Sequence, residues 1–200
     1  MDHIKKFSST VNTTAECRFI AAARLEKRDL SMTQLTSFTS AYVIILTALP
    51  YFLRLPDLVE DHINLLTVAL SIVVLVSSLS QYSRGDVVKA EQHHRCGLEL
   101  KELHREIVAS PSMSAEGFRK FSSRYSAVMA KYGSNHEIID YKAYELNRKS
   151  ELEWVTWWTV LRNATELFVA NEGPKVALAL STLTMLGVIF LYALPAQVSN

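Results

Sequence analysis

The chain has 200 residues with 21 Lys and Arg against 20 Asp and Glu, so its length allows one or two small domains. With the charges so nearly balanced, net charge points to no acidic or nucleic-acid partner. Charge is instead absent in blocks: residues 30–53, 62–83 and 176–200 contain no Asp, Glu, Lys or Arg. About 20 helical residues, rising about 1.5 Å each, cross the roughly 30 Å hydrocarbon layer. Three such runs in a chain that is 49% apolar read as membrane segments, not as buried helices of a soluble core.

In chain order, the first 30 residues are polar and hold no apolar h-region, so no cleavable signal peptide is expected. Thr13-Thr14-Ala15-Glu16 matches a capping box and predicts a helix over about residues 14–28 that feeds the first apolar run. That run closes on Pro50-Tyr51-Phe52, an aromatic pair typical of a membrane interface. Residues 54–61 are too few for a domain, which makes the first two runs a helical hairpin. Tyr82 and Arg84 mark the far end of the second run.

Residues 84–172 are helical in pattern. Cys96, Leu100, Leu103 and Ile107 form one stripe over about 84–109, which Ser110-Pro111-Ser112 ends. Phe118, Phe121, Tyr125, Val128/Met129 and Tyr132 form a second, stopped by Gly133. A third helix begins at Ser134, where Ser134-x-x-Glu137 is again a capping box. Trp154, Trp157, Leu161 and Phe168 form another stripe before the Gly173-Pro174 break.

The fold expected is an all-α membrane protein. Residues 1–30 form a cytoplasmic N-terminal helix, 31–83 a transmembrane helical hairpin, 84–172 a cytoplasmic helical region and 175–196 a C-terminal hydrophobic helix. The last reads as a third span, with a helix packed on the bundle or lying at the interface as the alternative. Orientation follows the basic residues: six Lys and Arg in the first 29 residues, one in the hairpin loop and 14 over residues 84–175 place both flanks in the cytoplasm.

Asn64, Thr67, Ser71, Ser78 and Gln81 fall on one face of the second run, opposite Leu66, Leu70, Val73, Val74 and Leu79. In lipid a polar row faces water or another helix. It is therefore either the lining of a pore built by several copies or small hydroxyls that let helices approach. Gln34, Ser37, Ser40 and Thr47 make a weaker row on the first run.

Elsewhere the chemistry is sparse. His93, Cys96 and His104, with His94, lack the second ligand pair that zinc requires, so no metal and no cofactor are expected. No phosphate loop or nucleophile elbow occurs. His136 and Asp140 lie one helical turn apart without a nucleophile nearby, and read as structural. Cys17 and Cys96 fit buried thiols in a reducing compartment. The glycosylation-type triplets at Asn12 and Asn163 lie in segments assigned to the cytoplasm. No catalytic residues emerge.

A basic N-terminal helix, a tight membrane hairpin, Tyr82-Ser83-Arg84-Gly85 after the second span, and Asn135-His136-x-x-x-Asp140-Tyr141 further on resemble the SLATT proteins, over about residues 10–170. The name describes two-transmembrane effectors associated with SMODS and SLOG proteins. The resemblance implies a bacterial antiphage effector of the abortive-infection type. It would damage the inner membrane when a co-encoded sensor, a nucleotide second-messenger synthase or a reverse transcriptase, switches it on. It implies Arg84, Asn135, His136, Asp140 and Tyr141 as structural motif residues, and no catalytic ones. A homo-oligomer follows because two or three helices from one chain cannot enclose water. The competing expectation is a non-conducting anchor or scaffold for a soluble partner enzyme. The third apolar run departs from the two spans of the family name.

Overall fold

A computed structural model of the protein describes residues 2–53, 55–110, 112–133, 135, 137–148 and 156–168. Among these the chain is helical throughout, with no strand: α1 (Asp2–Phe52), α2 (Asp57–Arg84), α3 (Asp86–Val108), α4 (Ala115–Lys131), α5 (Ile138–Asn147) and a final helix, α6, over 157–168. The all-α class stands. Two compact units divide it, Met1–Arg28 with Asp86–Leu167, and Asp29–Gly85 with Phe168–Asn200. The expected C-terminal helix at 175–196 lies outside the described residues, as does His136.

The first helix differs from expectation. It begins at Asp2, so Thr13 and Glu16 are interior residues and not a capping box. No Gly or Pro occurs before Pro50, and the apolar positions Ile4, Phe7, Val11 and Ala15 already keep helical spacing upstream of Thr13. Those positions have partners, because the Phe7 ring meets Phe118 and Tyr125 edge-on at 5.3 and 5.9 Å. Tertiary burial outweighs a local capping signal.

In the first unit the core is Val11, Ala15, Cys96, Leu100, Leu103 and Ile107, covered by Phe121, Tyr125, Val128, Met129 and Tyr132 from α4. The two stripes read over α3 and α4 are thus the packing faces. The Phe19 ring of α1 packs directly on Gly97 of α3, where an added Cβ would stand 2.9 Å from Phe19 Cε1. Ser114 caps α4 by accepting from the Gly117 amide at 3.1 Å. On the rim, Glu99 accepts from Lys131 at 2.5 Å and Tyr132 at 2.7 Å, and Arg124 grips Glu106. These exposed pairs add little each.

In the second unit α2 packs through Ile63, Leu66, Leu70, Val74 and Ser77. The outer positions are apolar: Leu65, Val68, Ile72, Leu75, Val76 and Leu79 are all more than half exposed, as are Phe38, Ile44 and Ile45 on α1. The most apolar windows of the two helices have mean hydropathies of 1.4 and 2.2 and are 11% and 6% buried. A soluble core helix hides such a surface, whereas a membrane helix turns it to lipid. The charge-free stretches 30–52 of α1 and 62–83 of α2 measure about 35 and 33 Å, enough to cross. The turn between them is shorter than expected, because α2 starts at Asp57. Asp57 and Glu60 sit in its first turn, where the helix dipole favours negative charge. At the other end Gly85 adopts the left-handed conformation (φ 59°, ψ 38°), which most residues reach only at about 1 kcal/mol or more, and α3 restarts at Asp86.

Candidate functional site

The five residues of the polar face on α2 do not share one environment. Asn64, Ser71 and Ser78, seven apart, are exposed, while Thr67 and Gln81 are half-buried. Gln81 Nε2 donates to Thr33 Oγ1 at 2.6 Å and Asp29 Oδ1 at 3.1 Å on α1. It therefore ties the two helices together. The Thr67, Ser71 and Ser78 hydroxyls each donate to the carbonyl four residues back at 2.8 Å. Back-bonding of this kind satisfies a hydroxyl in apolar surroundings and removes most of the cost of placing it there. On α1, Ser40 and Thr47 do the same to Thr36 and Val43.

In the first unit, sequence reasoning missed a set of arginines on α1, one holding α5 and two holding α3. Arg24 grips Asp140 with a two-pronged contact, Nε–Oδ1 2.7 Å and Nη2–Oδ2 3.2 Å, and reaches Glu137 Oε1 at 3.1 Å. Asp140 is fully buried and also accepts from the Glu137 amide at 2.8 Å, closing a capping box at the start of α5. The cap is therefore Glu137, three residues later than the Ser134 expected. Ser134-x-x-Glu137 fits the pattern, but the next pair, Glu137-x-x-Asp140, is the one Arg24 can lock.

Arg28 repeats the arrangement with Asp86 in the first turn of α3, at 2.7 and 2.6 Å. Both aspartates thus join a helix N-terminus to a guanidinium, which adds the helix dipole to a charge-assisted fork. Arg18, 1% exposed, donates from Nη1 to His93 Nδ1 at 3.0 Å. Arginine can only donate, so Nδ1 is the acceptor in this contact. The available signal was Arg18 standing in line with Ile4, Val11 and Leu25 in an apolar repeat of seven.

The remaining motif residues have varied places. Arg84 ends α2 exposed, Asn135 is exposed, and Tyr141 is 38% exposed with its ring 5.9 Å from that of Tyr144. Tyr144 is buried and meets the Thr13 hydroxyl at 3.2 Å. The residues weighed as metal ligands are engaged separately: His93 with Arg18, His94 edge-on to Phe19, His104 with Ser8 Oγ at 3.1 Å, and Cys96 in the core. Among the described residues no group of three or more His, Cys, Asp or Glu is placed to hold a metal ion. A cleft of about 380 Å³ lined by Lys6, Ser9, Thr10, Thr13, Thr14, Cys17 and Tyr141 has most of its hydroxyls already committed, to the Lys6 and Thr10 carbonyls, Tyr144 and Tyr125.

Burial pushes the Cys17 thiol up to about 11, with Asp140 and Glu16 adding to the rise, and raises Cys96 as well. A thiol held protonated in the fold favours folding below its ordinary pKa of 9.0, and that contribution is lost as pH rises toward 11. Both cysteines are expected to resist a water-soluble maleimide at neutral pH and to react only on unfolding. Rapid labelling of the folded chain, followed by mass spectrometry, would refute this.

The family described as SMODS and SLOG-associating 2TM effector domain, family 5, matches residues 1–193. The chain belongs to it. No curated protein and no solved structure matches. As a SLATT protein it is a two-transmembrane effector domain of the kind associated with SMODS and SLOG, and its two long apolar helices place it at a membrane. The buried Asp140 holds α1 to the start of α5 through Arg24.

Proposed function

We propose that this protein is the membrane-disrupting effector of a bacterial antiphage system of the abortive-infection type. It sits in the inner membrane, with its N-terminus and residues 84–172 in the cytoplasm and residues 176–196 as a further span. It is not an enzyme. A co-encoded sensor, a nucleotide second-messenger synthase or a reverse transcriptase, switches it on, and several copies then assemble. Direct nucleic-acid binding plays no part.

The observation that carries this reading is the row Asn64, Ser71 and Ser78, turned outward from the hairpin on the more apolar of the two helices. Copies that turn this row toward a common axis enclose a neutral, weakly selective path. Thr67 and Gln81 stay in the hairpin contact and shape the path from behind. Replacing Ser71 and Ser78 together with Leu is expected to abolish depolarisation and dye entry in induced, phage-challenged cells, with the same amount of protein in the membrane. Unchanged depolarisation would remove both serines from the path.

The back-bonded serine hydroxyls favour a second reading, a non-conducting anchor that scaffolds a soluble enzyme, since such hydroxyls need no water. Under that reading the membrane stays polarised with every partner combination.

A further inference from the structure

Helix α6 turns its side chains the wrong way round for water. Asn163 is fully buried and donates to Glu145 Oε2 at 3.3 Å, and Glu166 pairs with Lys142. Both partners belong to α5, so polar contacts join α6 to it, with Val160 and Leu167 half-buried on the same side. The outer side of α6 carries a large apolar stripe, with Trp157 65% exposed, Trp158 64%, Leu161 49% and Phe168 58%, flanked by exposed Arg162, Thr165 and Glu166. Trp157, Leu161, Ala164 and Phe168 succeed one another by four, three and four residues, a single stripe without charge. The indoles of Trp157 and Trp158 stack at 4.0 Å beside it. A helix that faces water carries the opposite pattern.

We infer that α6 lies in the headgroup layer of the bilayer, with this stripe against the acyl chains and the buried Asn163 side against α5. Three features select lipid as the occupant. Indole has an apolar body and one N–H donor, the chemistry that concentrates tryptophan at membrane interfaces. Only residues 169–175 separate Phe168 from the charge-free run that opens at Val176, a reach of about 25 Å at most, so α6 is tethered close to a membrane segment. Arg162 is exposed on the flank of the stripe, where a phosphate headgroup can meet it. The inference rests on the membrane reading of residues 176–196 and is independent of conductance.

The three tryptophans of the chain, Trp154, Trp157 and Trp158, make the test direct. Trp154→Phe leaves only the α6 pair as fluorophores. The full chain carrying this change would be reconstituted into phosphatidylcholine vesicles brominated either near the headgroup end or near the methyl end of the acyl chains. Flotation with the vesicles would verify insertion. The expected result is a loss of about half the emission with headgroup-end bromine, a smaller loss with methyl-end bromine, and little quenching by aqueous acrylamide, as for groups about 5–10 Å into the boundary. Adding Leu161→Lys should lower the bromine quenching and raise that by acrylamide. Strong acrylamide quenching without a bromine effect would overturn the inference by placing the stripe in water. Protection from both quenchers would overturn it in favour of cover by residues 176–196 or by a second copy. Strongest quenching from methyl-end bromine would overturn it in favour of a buried span.

Discussion

Asp140→Ala is expected to destabilise the first unit by about 3–5 kcal/mol, because it strands the Arg24 guanidinium in the fold. The Arg24 side chain is only 11% exposed and Asp140 is fully buried, so water replaces the lost carboxylate poorly. Two effects compete. Glu137, 3.1 Å from Arg24 and 62% exposed, can take part of the charge, which argues for the lower half of that range. Against it, the α5 cap is lost as well, since the Glu137 amide donates to Asp140, and a cap contributes about 1 kcal/mol. Asp140→Asn keeps the shape and one acceptor and should cost about 2 kcal/mol. The double change Arg24→Met with Asp140→Leu should recover most of the loss, because removing both charges also removes the desolvation cost. Helical circular dichroism of the full chain in nanodiscs reads these as a fall in melting midpoint of about 10–20 °C for Asp140→Ala. A fall of less than about 4 °C would mean that Arg24 does not depend on Asp140.

Gly97→Leu is the second large effect, about 3 kcal/mol, and its origin is steric. A Cβ at this position already stands 2.9, 3.0 and 3.1 Å from three atoms of the Phe19 ring, closer than packed carbons tolerate. For Gly97→Ala the obstacle is the outer end of one half-buried ring, which can yield, and alanine adds helix propensity of about 1 kcal/mol. The net cost should then stay within about 1 kcal/mol. Leucine adds three more carbons where α1 and α3 touch, so the helices must separate. The Ala15, Cys96 and Leu100 contacts nearby loosen with them. Phe19→Ala is expected to rescue Gly97→Leu in part, and a double-mutant cycle measures the coupling. Additive losses would place the clash elsewhere.

The sequence by itself determined the elements whose signal is local or periodic. Two charge-free runs, 30–53 and 62–83, marked the two long apolar helices without any contact information, because a bilayer selects length and apolarity alone. Cys96, Leu100, Leu103 and Ile107 on α3, with Phe121 and Tyr125 on α4, showed the core faces, because burial on a helix leaves a 3.6-residue period.

Only the tertiary structure decided what those residues touch. Asp140 read as a structural residue with no partner specified, and its carboxylate is held by Arg24 from a helix 116 residues earlier, a pairing no local rule encodes. Thr13 and Glu16 carried a sound capping pattern that packing overrode, since Phe7 and Val11 upstream had a core to enter. The Trp157–Phe168 stripe was legible as a stripe, but that it is exposed while Asn163 and Glu166 meet Glu145 and Lys142 of α5 was decided by the packing. Periodicity reports that a helix has two faces. Which face is covered depends on the neighbouring element, and that information is spread over residues far apart in the chain.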